Sequence, residues 1–243
     1  MKKLLIVLLV SSIFLSGCLY PNERLTENQA TNQEQLDRIQ DAVHDYQESQ
    51  NGLLPIQTRD QETPLLIKYP IDFNLLRDNN LIGETPGNSF EQGGIYSYVI
   101  VKPEDEAIVK VSDTRITQKL RTINYEIQLY RSNNTYPPYG QSLGNGFFTI
   151  DTERMNMSEE PVVESPYNGT ELDIIMTTEG EAVVDYRSDV YQLLEEEEID
   201  SYDGDLRELL LEYYPIVPTY GTAMILDDGQ INLDEQSEDD LDL

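Results

Sequence analysis

Two amphipathic stripes set the limits on this fold. Leu36, Ile39, Val43 and Tyr46 recur at spacings of 3, 4 and 3. Leu120, Ile123, Ile127 and Tyr130 repeat those spacings, each at one constant offset from its partner. Apolar residues at this period line one face of an α-helix, and such a face needs a second apolar surface to cover it. Thr31-Asn32-Gln33-Glu34 fits a capping box at the start of the first helix, with Thr31 as N-cap and Glu34 reaching back. Asn51-Gly52 and Pro55 stop that helix, and Asn134 and Pro137 stop the second.

Further landmarks follow in the same order in both halves. Ile71-Asp72 answers to Ile150-Asp151, Thr85-Pro86-Gly87-Asn88 to Ser165-Pro166-Tyr167-Asn168, and Glu106-Ala107-Ile108-Val109 to Glu181-Ala182-Val183-Val184. The offset shortens along the chain, from that of the helices to a smaller one at the last pair. This pattern is that of an internal duplication. Each half is expected to end in a hairpin. In the first, segment 95–101 places Tyr96, Tyr98 and Ile100 on one face, turns at Pro103-Glu104-Asp105 and returns through 107–111. In the second, Leu172, Ile174 and Met176 share a face, the turn is Glu179-Gly180, and the return strand runs from Ala182 to Tyr186. A third, degenerate unit is expected from the helical stripe Leu206, Leu209, Leu210 and Tyr213, stopped by Pro215. Two strands, 223–226 and 230–233, then flank Asp228-Gly229, a favoured two-residue hairpin turn.

The expected fold is therefore α+β: tandem duplicated helix-plus-antiparallel-sheet modules over 33–115 and 116–190, with a smaller helix-and-hairpin unit over 191–233. Residues 234–243 are acidic, lack any basic residue, and are expected to form a disordered, solvated tail.

The N-terminus supplies an address. Lys2 and Lys3 precede an apolar run from Leu4 to Val10, then Ser11-Ser12-Ile13-Phe14 and Leu15-Ser16-Gly17-Cys18. This is the anatomy of a secretory signal peptide over 1–17, and the run is too short to span a bilayer, which takes about 20 apolar residues. Leu15-Ser16-Gly17-Cys18 resembles the bacterial lipobox. The resemblance implies that Leu15, Ser16 and Gly17 are read by the signal peptidase, and that Cys18 is lipidated and becomes the first residue of the mature chain. Residues 18–32 then read as a lipidated tether spanning about 20 Å on average. Cys18 is the only cysteine, which excludes intramolecular disulfides and thiolate metal sites.

The full chain carries a net charge of −30, and loss of Lys2 and Lys3 with the signal peptide takes it to −32. Nucleic acid is excluded as a partner, because binding it requires a basic stripe. The acidity fits surface solubility, a saline or alkaline habitat, or cation binding.

No catalytic set emerges. His44, the only histidine, lies off the apolar stripe with no orienting partner near it in sequence. Gly-x-Ser-x-Gly is absent. Gly140, Gly144 and Gly146, with Asn145, miss the spacing of phosphate-binding loops and read as an exposed Pro/Gly loop. Tyr136 and Tyr139, in Tyr136-Pro137-Pro138-Tyr139 just before it, are candidates for partner contact, since tyrosine binds at low entropic cost. Asp200, Asp203 and Asp205 around Gly204, and Asp227-Asp228 before Gly229, lack the acids that an EF-hand needs at its first and third positions. The acidic run 195–198 reads as a solvated helix face. No metal and no cofactor are expected.

Two family resemblances complete the reading. The order Tyr46, Gly52, Pro55, then Ile71-Asp72-Phe73, Leu81-Ile82, Pro86 and Gly93-Gly94-Ile95-Tyr96 resembles the globular part of pseudopilins and minor pilins over about residues 35–101. There a helix leads through a proline turn into a small antiparallel sheet; the transmembrane half of a pilin helix is absent here. Over most of its length the chain is similar to the YphF-like lipoproteins of Bacillus-type bacteria, through Leu19-Tyr20-Pro21, Gly52-Leu53-Leu54-Pro55-Ile56 and Gly93-Gly94-Ile95-Tyr96. This resemblance implies a lipoprotein anchored in the cell membrane through Cys18 and facing outside the cytoplasm. The function expected is non-enzymatic binding or assembly, with a protein partner at the outer membrane face. The alternative is a solute-binding lipoprotein component of an ABC transporter.

Overall fold

The computed structural model describes residues 33–234 and Leu241. Cys18, the signal peptide with Leu15, Ser16 and Gly17, the tether and the Thr31 cap lie outside the described residues.

The first helix, α1 (Gln33–Ser49), buries Leu36, Ile39, Ala42, Val43 and Tyr46. After it, Ile56 bridges Ile71, and Pro70 bridges Val99. A short helix, α2 (Phe73–Asp78), starts at Asp72, whose carboxylate accepts from the Asn74 amide at 2.9 Å. Strands β1 (Tyr96–Val101) and β2 (Ile108–Asp113) pair antiparallel from Tyr96↔Asp113 to Val101↔Ile108. The α1 stripe packs on Tyr96, Tyr98, Ile100, Val109 and Val111, as the sequence pattern requires. Strand alternation sends Val99 and Val101 to the opposite face, where Leu66, Ile67, Leu211, Val217 and Leu241 cover them. Both faces of β1 are therefore buried. Leu241 lies within the stretch expected to be a solvated tail, yet it is 6% exposed; its apolar side chain joins this cluster.

The second long helix, α3 (Thr114–Asn133), begins directly at the end of β2 and buries Ile116, Leu120, Ile123 and Ile127. Tyr130, the last residue of the expected stripe, is only half-buried. Next comes a hairpin of β3 (Tyr139–Gly144) and β4 (Phe147–Ile150). This corrects the expectation of an exposed Pro/Gly loop: the segment is largely exposed but its residues pair as strands. Asn145 and Gly146 take φ values of 45° and 79°, a turn with positive φ at both central positions whose twist matches the paired strands.

A one-turn helix, α4 (Thr152–Met155), follows, capped by Asp151. Strands β5 (Val162–Glu164), β6 (Glu171–Met176) and β7 (Ala182–Val184) complete an antiparallel sheet of order β3-β4-β6-β5, with β7 also on β6. Two helices, α5 (Arg187–Glu196) and α6 (Arg207–Tyr213), and a last hairpin, β8 (Met224–Asp227) with β9 (Gln230–Leu233), follow. The Asp228-Gly229 turn forms as read, with φ values of 47° and 75°. Tyr213, however, is 42% exposed and Leu211 is buried in its place.

The helix-and-hairpin segment has no core of its own. Leu206, Leu209, Leu210, Met224 and Leu233 lie in the same cluster as the α3 stripe. Residues 215–221 act as a strap along two sheet edges. Val217 N–H donates to the Val111 carbonyl at 2.9 Å, and Val184 N–H donates to the Tyr220 carbonyl at 2.9 Å. Ser112 and Thr219 hydroxyls lie 2.9 Å apart, the Tyr186 hydroxyl donates to the Thr219 carbonyl, and the Tyr167 hydroxyl donates to the Ile216 carbonyl. Strand β2, strand β7 and the strap are thus held in one hydrogen-bonded seam. The fold is α+β, with several helices on small antiparallel sheets.

One local device recurs three times. Asp113-Thr114-Arg115, Asp185-Tyr186-Arg187 and Asp205-Leu206-Arg207 each stand at the start of a helix. In each, the carboxylate accepts from the arginine backbone N–H and pairs with its guanidinium at 2.6 Å. A carboxylate there meets the unpaired amides of the first turn and the positive end of the helix dipole.

Candidate functional site

The chain has 46 acidic residues in 243, yet none lies between Glu126 and Asp151. This acid-free stretch, 127–150, contains one charged side chain, Arg131. It is not hidden in the core: only Ile127, Pro138, Phe147 and Ile150 within it are buried. It comprises the last two turns of α3, the following linker and the β3–β4 hairpin. Among the described residues strand β3 pairs only with β4 and forms the edge of its sheet; its sequence, Tyr139-Gly-Gln-Ser-Leu-Gly144, has no charge.

Large apolar side chains of this stretch are exposed. Tyr136 is 72% exposed and Leu129 56%, with Tyr125 one turn earlier on the same helix. The other candidate contact residue, Tyr139, has a role within the fold. It is half-buried, its hydroxyl donates to the Thr178 carbonyl, and its ring packs on Phe148 with centroids 4.7 Å apart. Between α3 and α4 with the turn after it runs an open groove of about 690 Å³, which Leu129 and Tyr130 of this stretch help to line. Ile123, Tyr130, Met155 and Met157 supply apolar lining; Lys119 and Arg154 supply cations, offset by Glu126 and Glu159. Lys119 Nζ lies 3.7 Å from a Glu159 carboxylate oxygen.

A second constellation is buried. Asp189, 2% exposed on α5, accepts from the Ser165 hydroxyl and the Asn168 amide at 2.8 Å each. Its other oxygen, Oδ2, has no hydrogen-bond partner among the described residues. Burial pushes its pKa up to about 6, against the opposing effect of the Ser165 and Asn168 hydrogen bonds. Burial likewise holds the Tyr167 and Tyr186 hydroxyls well above their ordinary value. Ser165 Oγ also accepts the Tyr167 and Asn168 backbone amides, so it is held as a turn-forming group and has no base at hand other than Asp189. The network closes the 165–170 turn against α5.

The remaining sequence candidates resolve individually. His44 is exposed and lies 3.3 Å from Glu48 one turn on. Asp205 is turned inward to Arg207 and is 6% exposed, so it is separated from the exposed Asp200 and Asp203. The four glutamates of 195–198 are all exposed. Among the described residues no three His, Cys, Asp or Glu side chains are grouped to hold a metal ion, and no helix is long and apolar enough to cross a membrane. The acid-free window was readable from the sequence as a gap in charge. It is twice as long as the segment 92–103, which also lacks acids but carries the buried strand β1.

Residues 32–113 match the family model described as the YphF family N-terminal domain. That domain runs from α1 to Asp113, the last residue of β2, and ends where α3 begins. No curated protein and no solved structure gives a significant match to the chain.

Proposed function

We propose that this chain is a non-enzymatic binding or assembly protein. It is tethered to the outer face of the cell membrane by lipid on Cys18 and meets its partner through the exposed part of the stretch 127–150. The observation that carries the reading is the acid-free stretch 127–150, exposed and bearing Tyr136 and Leu129, in a chain of net charge −30. Exposed apolar residues set in an otherwise charged surface mark interaction sites. Photo-crosslinking tests it: a photoreactive residue at position 136 captures a defined partner in intact membranes, and one at Tyr191, exposed on α5, does not. Equal capture at both positions would count against the reading.

We also propose that the two halves descend from one duplicated unit, pilin-like in laying a helix on an antiparallel sheet. Gln40 and Asn124 support this. They stand at the same offset from one another as the two helical stripes. The Gln40 amide donates to the Ala107 carbonyl and accepts from Val109 N–H, and the Asn124 side chain accepts from Ala182 N–H. Each thus ties its helix to the return strand of its own hairpin.

The groove favours a second reading, a solute-binding lipoprotein serving a transporter. Its volume of about 690 Å³ falls in the range of small-molecule sites. Thermal-shift screening with solutes and peptides separates the two, since a ligand that binds only the native state raises the melting temperature.

A further inference from the structure

We propose that the apolar cluster on the face of β1 away from α1 is a binding site for a leucine carried on an acidic peptide, and that the chain's own segment 235–243 fills it through Leu241. This site goes beyond the interaction reading above and uses no residue of the stretch 127–150. Segment 235–243 holds five acids, no basic residue and two leucines. A stretch of that composition favours water. Leu241 is nonetheless 6% exposed and sits in one cluster with Leu66, Ile67, Val99, Val101, Leu211 and Val217. Burying a leucine that stands between Asp240 and Asp242 requires an apolar receptor for its side chain, and water or a counter-charge for its neighbours.

The receptor is assembled from separate parts of the chain. Leu66, Ile67, Val99 and Val101 belong to the family domain at 32–113, whereas Leu211 of α6 and Val217 of the strap lie outside it. Leu241 therefore seats where the two parts meet. The counter-charge is Lys110. It stands directly opposite Val99 in the β1–β2 register, which places it on this face, and its Nζ donates to the Tyr214 carbonyl at 2.8 Å. Among the described residues no carboxylate forms an ion pair with it. The chain also leaves β9 close to the site. Asp234 N–H donates to the Ala223 carbonyl at 2.9 Å, and the Thr222 hydroxyl donates to the Asp234 carbonyl at 3.2 Å, just past the end of the strap. Leu241 is seven residues further on, a reach of up to about 23–25 Å. A connection that short gives the attached leucine an effective concentration on the order of millimolar, which favours the chain's own segment over a peptide from solution.

The test uses the full chain in detergent micelles, with NMR of its leucine and valine methyl groups. In the wild type, Leu241 methyls should show through-space contacts to Val99, Val101 or Val217. Leu241→Asp empties the site in an otherwise complete chain, and Leu241→Ala is the milder variant should a thermal melt show that the first does not fold. A synthetic peptide of residues 234–243 is then added. It should shift the three valine signals of the emptied chain at least about tenfold more than those of the wild type, whose site is already filled. The same peptide carrying Leu241→Asp should shift neither. Lys110→Gln, which keeps a donor for the Tyr214 carbonyl and removes the charge, should weaken peptide binding to the emptied chain by about two- to fivefold. Absence of the Leu241 contacts in the wild type, no shift in the emptied chain, or equal shifts in both overturns the proposal. Binding indifferent to Lys110→Gln overturns the recognition of acidic flanks.

Discussion

Asp205 and Arg207 form an ion pair 2.6 Å apart in which neither side chain is more than 5% exposed. The other oxygen of Asp205 accepts from the Arg207 and Met224 backbone amides, and Arg207 Nη1 donates to the Gly221 carbonyl at 2.9 Å. One buried pair thus connects the start of α6, strand β8 and the strap that closes both sheet edges. Removing one partner of a buried pair strands a charge and costs about 3–5 kcal/mol. Arg207→Ala is expected to lose that much in urea unfolding. Arg154→Ala, whose side chain is 62% exposed and pairs with an Asp151 side chain 22% exposed, should lose about 1 kcal/mol or less. Equal losses would mean that burial does not set the difference.

Asp189 predicts a pH dependence with a definite sign. Its folded pKa is raised to about 6 from an ordinary 3.8, so the native state binds a proton more tightly than the unfolded chain. The resulting stability is fully present below the unfolded value and is lost as pH rises through about 6. Asp189→Asn keeps the acceptor for Ser165 and Asn168 and places no charge at the unpartnered oxygen. It is expected to stabilise the protein at pH 7 by on the order of 1–3 kcal/mol. It should also flatten the decline in the wild-type stability curve as pH rises towards neutrality. A variant less stable than wild type at pH 7 would show that the carboxylate is needed in its charged form.

Gly94 is required by close approach. A Cβ built there meets the Asn88 carbonyl oxygen at 2.0 Å and its carbon at 2.2 Å, both backbone atoms that cannot swing aside. Gly94→Ala is expected to destabilise by at least about 2 kcal/mol in chemical denaturation. Gly93, with φ 85° and open space around it, should instead show only the smaller strain of its left-handed backbone.

The Gln40 amide makes one hydrogen bond as donor, 2.8 Å to the Ala107 carbonyl, and one as acceptor, 2.7 Å from Val109 N–H. Gln40→Ala leaves both backbone groups without their side-chain partner and should cost about 1–2 kcal/mol. Faster amide exchange at Val109 would accompany the loss, and unchanged exchange would show that the bond has no role at that edge.

Cys18→Ser tests the proposed anchor. It should abolish incorporation of radiolabelled palmitate and leave the precursor uncut, still carrying the signal segment from Met1 to Gly17. Lipid incorporation that survives the substitution would exclude Cys18 as its site.

Local periodicity made much of this molecule legible. The α1 and α3 stripes, both expected hairpins and the Asp228-Gly229 turn were all readable, because spacing and turn chemistry act within a few residues. The Asn145-Gly146 hairpin was obscured by its glycines and the adjoining prolines, although Asn-Gly is itself a strong turn signal. The three Asp-x-Arg pairs are too short and common to stand out before their helices are placed. Tyr136 and Tyr139 looked equivalent within one short segment, and only packing separates the exposed ring from the half-buried one.

By itself, then, the sequence determined the α1 and α3 stripes, the β1–β2, β6–β7 and β8–β9 hairpins and the unequal distribution of charge, all of which are local in the chain. Tertiary structure alone decided that residues 215–221 bind Val111 and Val184 at once, that Asp189 and Arg207 are buried, and that the acid-free stretch lies at the surface. Those outcomes depend on contacts between residues far apart in the chain, as for Ser112 and Thr219, separated by 107 positions. Whether such groups meet is set by how the sheets and the strap pack, which no window along the chain contains.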